Sequence, residues 1–257
     1  MTMPMRPPRF PPSPWRLAAA AFALAFAAAA PAPAPAVELE LVLAIDASTS
    51  VDFREFNLQM QGYAKAFRDP RLIDVIGAHA DGVALALVLW SGPRQATTAI
   101  KWTIVTDEAS SLAFADQIDA TPRLVWGGST ALAYAIEYSI RELETNGIEA
   151  RRQVIDVSGD GKANDGGLPM YQRDRALALG ITINGLAILN EEPDLKEYYE
   201  KYLIGGANAF VDSVWNFDDF ADAILRKLIR EIQGSPVAER DRPADVVVAA
   251  PAMEAVP

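Results

Sequence analysis

The sequence has no cysteine and a single histidine, His79. The first absence excludes disulfides, thiolate metal sites, iron–sulfur clusters and cysteine nucleophiles. The second excludes His-rich zinc and copper sites. No Gly-x-Ser-x-Gly elbow, Walker loop or Gly-x-Gly-x-x-Gly fingerprint occurs, so the common signatures of serine hydrolases and nucleotide binders are missing. Bases are also scarce, at 23 against 34 acids, and the net charge of −11 repels nucleic-acid phosphate and anionic membrane surfaces. Apolar residues are plentiful. They make up 51% of the 257 residues, enough for the core of one domain or two small ones.

The first 36 residues have the composition of a secretory signal. Arg6, Arg9 and Arg16 stand in a start without acids, Leu17–Ala30 is an unbroken apolar run, and Ala34-Pro35-Ala36 supplies a small-x-small end. Cleavage is expected after Ala36, giving an exported, periplasmic protein with no stable membrane insertion. A retained membrane anchor is the alternative, although fourteen apolar residues are short for a bilayer. A composition rich in Pro, Ala and charge after Gly234 predicts a disordered tail over 235–257.

Between these ends, 37–234 alternates strand and helix patterns. Continuous apolar runs at Leu39–Ile45 and Val83–Trp90 predict strands buried on both faces. Further strands are expected at 97–105 (an edge), 153–157, 181–188 and 209–214. Helical spacing predicts helices over 51–68, 107–118, 131–146, 168–179 and 194–203, and a last amphipathic one capped by Asn216. This order predicts an α/β domain: a doubly wound, mostly parallel six-stranded sheet with helices on both faces and one antiparallel edge strand.

Sites in such sheets form at the carboxyl ends of strands where the strand order reverses. Three loops there carry oxygen donors: Asp46-Ala47-Ser48-Thr49-Ser50, Gly127-Gly128-Ser129-Thr130 and Ser158-Gly159-Asp160-Gly161. In an extended segment, side chains two apart point the same way, so Asp46, Ser48 and Ser50 can converge. Hard oxygen donors with few carboxylates suit Mg²⁺, with Mn²⁺ or Ca²⁺ as alternatives. Asp46 and Ser50 could instead cap the helix that follows, and Thr130 the helix at 131.

On these residues the chain resembles a von Willebrand factor type A (vWA) domain. Asp46-x-Ser48-x-Ser50 matches that family's metal-ion-dependent adhesion site (MIDAS). Thr130 matches the threonine of its second loop and Asp160 the aspartate of its third. The Ser-Gly-Asp-Gly loop and the signal segment further resemble an uncharacterised exported bacterial group, DUF1194. The resemblance implies that Ser48, Ser50 and Thr130 bind a divalent ion directly, while Asp46 and Asp160 act through water or exchange inward. It also implies a protein partner that completes the ion's shell with an Asp or Glu carboxylate, and binding without catalysis. Gly128, Ser129, Gly161 and Asn164 would form the rim.

Two other functions compete. A metal-assisted hydrolase using Asp46 lacks the second carboxylate that haloacid-dehalogenase-like phosphatases carry two residues on, since Ser48 stands there. A scaffold with a purely structural ion is the third possibility. Asp160–Gly166 is not an EF-hand, having Lys162 at its third position and no glycine at its sixth. Asp156 reads as a buried hydrogen-bonded carboxylate and His79 as a surface residue. Tyr198, Tyr199, Tyr202 and Trp215 read as packing residues, with an aromatic recognition patch as the alternative.

Overall fold

The computed structural model describes residues 36–234. The expected targeting segment up to Pro35 and the expected tail lie outside the described residues. Strand β1 (Val37–Asp46) is buried along nearly its whole length because it has a neighbour on each edge and helices on each face. It pairs in parallel with β2 (Val83–Trp90) on one side and β4 (Ala150–Gly159) on the other. Beyond β2 lies β3 (Ala96–Val105), the antiparallel edge. Beyond β4 lie β5 (Thr182–Ile188) and β6 (Val211–Val214), both parallel. The order is β3-β2-β1-β4-β5-β6. The chain thus runs outward from β1 through β2 to β3, then returns to the other flank of β1 with β4. The strand order reverses between β1 and β4, and a crevice opens at their carboxyl ends.

Alternation along β1 divides the core in two. Leu39, Leu41, Leu43 and Ile45 face α1 (Phe53–Phe67), α2 (Pro70–Gly77), α3 (Glu108–Ala120) and α7 (Phe220–Gln233). Val42 and Ala44 face α4 (Leu132–Thr145), α5 (Met170–Ala178) and α6 (Leu195–Tyr202). Each fully buried leucine or isoleucine here contributes about 2 kcal/mol, which offsets the absence of disulfides. Helices α1 and α7 approach closely because Gly62 has no side chain. A Cβ there would stand 2.7 Å from Phe220 Cδ1. Among the described residues no helix is long and apolar enough to cross a membrane.

Three features differ from the sequence-based expectation. Helix α2 was not anticipated, although Asp69 accepts from the Arg71 N–H and Pro70 opens the first turn, a standard start signal. Strand β4 is twice the length expected from its apolar centre, because its polar start is held by neighbours. Arg152 donates to Glu38 and to the carbonyls of Glu231 and Ile232 at the end of α7. His79 is half-buried, its Nε2 lying 3.0 Å from the Ile232 carbonyl oxygen. Asp156 is the buried, bonded carboxylate expected. It pairs with the fully buried Lys227 of α7, which also donates to Glu231 at 2.6 Å.

Candidate metal centre

All three oxygen-bearing loops meet at the β1/β4 crevice. The first leaves β1 at Asp46, which is fully buried, and turns back through its own side chain: the Ser48 N–H donates to Asp46 Oδ1 at 2.7 Å. That turn brings Ser48 Oγ to 3.1 Å from Ser50 Oγ, so the two hydroxyls face one point as expected. However, β1 ends at Asp46, and the convergence comes from the turn at 48–50, not from extended-chain alternation. Helix α1 begins only at Phe53 and is capped by Asp52, whose carboxylate accepts from the Glu55 N–H while Glu55 accepts from the Asp52 N–H. Capping is therefore served elsewhere, and Asp46 and Ser50 are free for the crevice.

The third loop joins the first where Ser50 Oγ donates to Asp160 Oδ1 at 2.7 Å. The second loop joins both. Thr49 donates to the Gly128 carbonyl through its N–H at 3.1 Å and its hydroxyl at 2.8 Å. Thr130 donates its N–H to Asn164 Oδ1 at 2.8 Å, and Ser129 its hydroxyl to Asp165 at 2.9 Å. Gly128 has φ +96°, and a Cβ there would collide with Gln95 and Ser91, so glycine is needed for this close seat. Thr130 Oγ1 makes no capping bond to α4 and lies 3.3 Å from where a Cβ on Gly161 would sit. Asp46, Ser48, Ser50, Thr130 and Asp160 are thus brought together, with Gly128, Ser129, Gly161 and Asn164 around them.

Two further residues shape this arrangement: Arg123, which no sequence signal marks, and Tyr199, which the sequence marks only as a packing residue. Arg123, nearly buried, donates Nη2 to the carbonyls of Ala47 (2.9 Å) and Ser48 (3.0 Å), Nε to Val125 and Nη1 to Asp52. It fixes the backbone of the first loop from 75 residues away, a contact that no local pattern announces. Tyr199 of α6 is fully buried, with its hydroxyl beside Asp46 and Asp160. A Cβ on Gly159 would lie 2.8 Å from Asp46 Oδ2 and 3.0 Å from the Tyr199 hydroxyl.

The electrostatics are those of a site short of positive charge. Burial pushes the Asp46 carboxyl up to about 8, and the Asp160 charge adds to this against the hydrogen bonds from Ser48 and the pull of Arg123. Burial likewise raises Asp160 to about 6, opposed by the Ser50 hydroxyl and assisted by Glu55 and Glu191. Asp46 Oδ2, Asp160 Oδ2 and the Tyr199 hydroxyl are buried without a hydrogen-bond partner. Buried, unpaired carboxylate oxygens are costly, and a cation beside them would remove that cost. Among the described residues no cluster of three or more His, Cys, Asp or Glu side chains is placed to hold an ion. Here two carboxylates stand with three hydroxyls, a hard-oxygen donor set that fits Mg²⁺ or a similar ion. A cavity of about 300 Å³ lies at the opposite end of the sheet, where Arg151, Arg152 and Arg230 already face Glu38, Asp81 and Asp212.

The six-stranded sheet and its helical layers define a vWA-like α/β fold. The chain belongs to the family described as "Protein of unknown function (DUF1194)", which matches residues 36–236. No curated protein matches. Solved structures similar to it include proximal thread matrix protein 1 from the mussel byssus (17% identity, TM-score 0.54, 77% of this chain and 47% of that one). Another structure of that mussel protein is described as having a zinc-occupied MIDAS motif (17% identity, TM-score 0.50, 76% of this chain and 45% of that one). The vWF domain of the type V pili tip protein Mfa5 from Porphyromonas gingivalis aligns over 79% of this chain and 99% of its own (13% identity, TM-score 0.53). A von Willebrand factor type A protein from Catenulispora acidiphila aligns over 77% of this chain and 43% of its own (19% identity, TM-score 0.52). The chain spans about half the length of the mussel protein.

Proposed function

We propose that this protein is an exported, divalent-cation-dependent binding module that captures a protein partner through the partner's Asp or Glu carboxylate. One observation carries the reading: three chain-distant loops bring Asp46, Ser48, Ser50, Thr130 and Asp160 to one crevice, where two buried carboxylate oxygens lack partners. Ser48, Ser50 and Thr130 would hold the ion, with Asp46 and Asp160 behind them. A bound Mg²⁺ would supply a positive charge able to accept a carboxylate oxygen. Neutral hydroxyls leave most of that charge uncompensated, which lets an acidic protein attract an acidic side chain. The mussel structure with a zinc-occupied MIDAS motif and the pilus-tip domain support the reading by analogy.

Hydrolysis fits less well. Asp46 is fully buried and bonded to its own loop, out of reach as a nucleophile, and the only histidine is bonded at the far end of α7. Isothermal titration with Mg²⁺ and Mn²⁺ tests the proposal: wild type binds one ion, while Thr130→Ala and Asp160→Ala bind at least tenfold more weakly. Equal binding by both variants, or none by a folded wild type, would refute it.

A further inference from the structure

Single exposed apolar side chains are ordinary, but several grouped together mark a contact surface. Phe53, Trp126 and Trp215 are 62%, 66% and 70% exposed, and Leu124 is 50% exposed. All stand at the carboxyl edge of the sheet, on the α1 side of the candidate metal centre. Arg123 links the first two: its guanidinium lies 5.5 Å from the Trp126 ring centre and donates to the carbonyl of Asp52, the residue before Phe53. The same guanidinium holds Ala47 and Ser48, so this apolar group borders the first loop directly. An ion pair between Arg54 and Asp218 (2.6 Å) ties the start of α1 to the turn that follows Trp215. Thr49 and Ser50, the exposed tip of the first loop, lie beside this crescent.

The structure assigns this crescent, we infer, as a second subsite for the same partner: it takes an aromatic or long aliphatic side chain next to the carboxylate that reaches the cation. The inference rests on the cation-dependent reading above. The occupant follows from charge. Asp52, Glu55, Asp218 and Asp219 are interspersed among the aromatics, so an anionic lipid surface is repelled. A protein segment offers a single acid, whose charge the ion neutralises, and one apolar side chain to the rings, so it meets far less of this repulsion than a surface of many anionic groups. Tryptophan is enriched among the side chains that dominate binding energy in protein interfaces, and a partner seated on Trp126 and Trp215 would strip them of water.

A random peptide library displayed on phage and selected on the Mg²⁺-loaded protein supplies the probe. Enriched peptides should carry Asp or Glu with an aromatic or long aliphatic residue within four positions. A synthetic peptide of that sequence should lose about tenfold in affinity for Phe53→Ser and for Trp126→Ser, a loss typical of an interface hot spot. Mg²⁺ titration of both variants should match wild type, which shows that the fold and the ion site survive. Enriched acids without apolar neighbours, no enrichment, or unchanged peptide affinity in both variants overturns the subsite and leaves the cation reading standing. A wild type that takes up no Mg²⁺ overturns both. Dimerisation of the protein alone that Trp126→Ser abolishes, or sedimentation with phosphatidylglycerol vesicles, overturns the subsite in favour of that occupant.

Discussion

Arg123 offers the sharpest test of how the candidate site is held. Its guanidinium makes four donations to backbone carbonyls, and those of Ala47 and Ser48 belong to residues with almost no exposure. Replacement by methionine keeps most of the side-chain volume and removes every donor. Each buried carbonyl left unpaired costs about 1–3 kcal/mol. Loss of the cation–π contact with the buried Phe56 ring, 5.4 Å away, adds about 1 kcal/mol. Relief of the guanidinium's own burial penalty works in the other direction and takes back part of this sum. The net expectation is a loss of about 3 kcal/mol. With a urea dependence of about 2 kcal/mol per molar, the unfolding midpoint falls by about 1.5 M.

The site should suffer as well as the fold. Without Arg123 the first loop loses its tether, and the Asp46 carboxyl loses a charge that holds its pKa down. Mg²⁺ affinity should therefore fall about tenfold in Arg123→Met, measured at a urea-free temperature where the variant is folded. Arg123→Lys should be intermediate, since one ammonium cannot span carbonyls that the planar fork serves together. A midpoint within about 0.3 M of wild type in Arg123→Met would show that the carbonyls find other donors, and the tether argument would fail.

Two further outcomes follow from buried groups. Burial, with the charge of Asp156 adding, pushes Glu231 up to about 8, far above its unfolded value, so the native state holds a proton that the unfolded state releases. Stability from this group is complete below about pH 4.5 and is lost as pH rises toward about 8, by on the order of 4 kcal/mol. Urea midpoints across that window should slope less in Glu231→Gln than in wild type, and identical slopes would refute the assignment. Gly159→Ala should destabilise by about 2 kcal/mol and weaken Mg²⁺ binding more than Gly161→Ala does, because its Cβ would press on Asp46 Oδ2 at 2.8 Å. Calorimetry and metal titration of the pair check the ranking.

Much of this architecture was legible because its signals are local. A run such as Leu39–Ile45 is buried on both faces only in a central parallel strand, and its abrupt stop at Asp46 marks the carboxyl edge. The grouping of Asp46, Ser48 and Ser50 was legible as a local motif, although the 3.1 Å approach of the two serine hydroxyls comes from the turn that follows β1 and not from the alternation of extended chain. Helix α2 was equally legible in its Asp69-Pro70 start but is only eight residues long, too short for its periodicity to stand out. Trp215 was grouped with the tyrosines of α6 as a packing residue. That holds for Tyr199, which is buried, and fails for Trp215, which follows a strand and is 70% exposed.

What was not legible shares one physical cause. Arg123 and Lys227 act across sequence separations of 75 and 71 residues, and neither belongs to a pattern that distinguishes it from a solvated base. Lys227 sits on α7 between Arg226 and Leu228, and its burial is matched by Asp156 and Glu231, which come to meet it. Burial alone would lower its pKa, yet the two carboxylates outweigh that effect and hold the ammonium charged. The same logic separates the two ends of the sheet. At the β4/α7 side the chain supplies its own cation, Lys227, to one oxygen of each buried acid, while Asp156 Oδ2 and Glu231 Oε2 still lack partners. At the β1/β4 crevice Asp46 and Asp160 meet hydroxyls and amides but no lysine, and the arginine nearby spends its donors on carbonyls. A buried pair of carboxylates with no lysine or arginine head group paired to it would be relieved by a cation from outside, and this difference from the Lys227 cluster supports the proposed metal dependence independently of the five-residue motif.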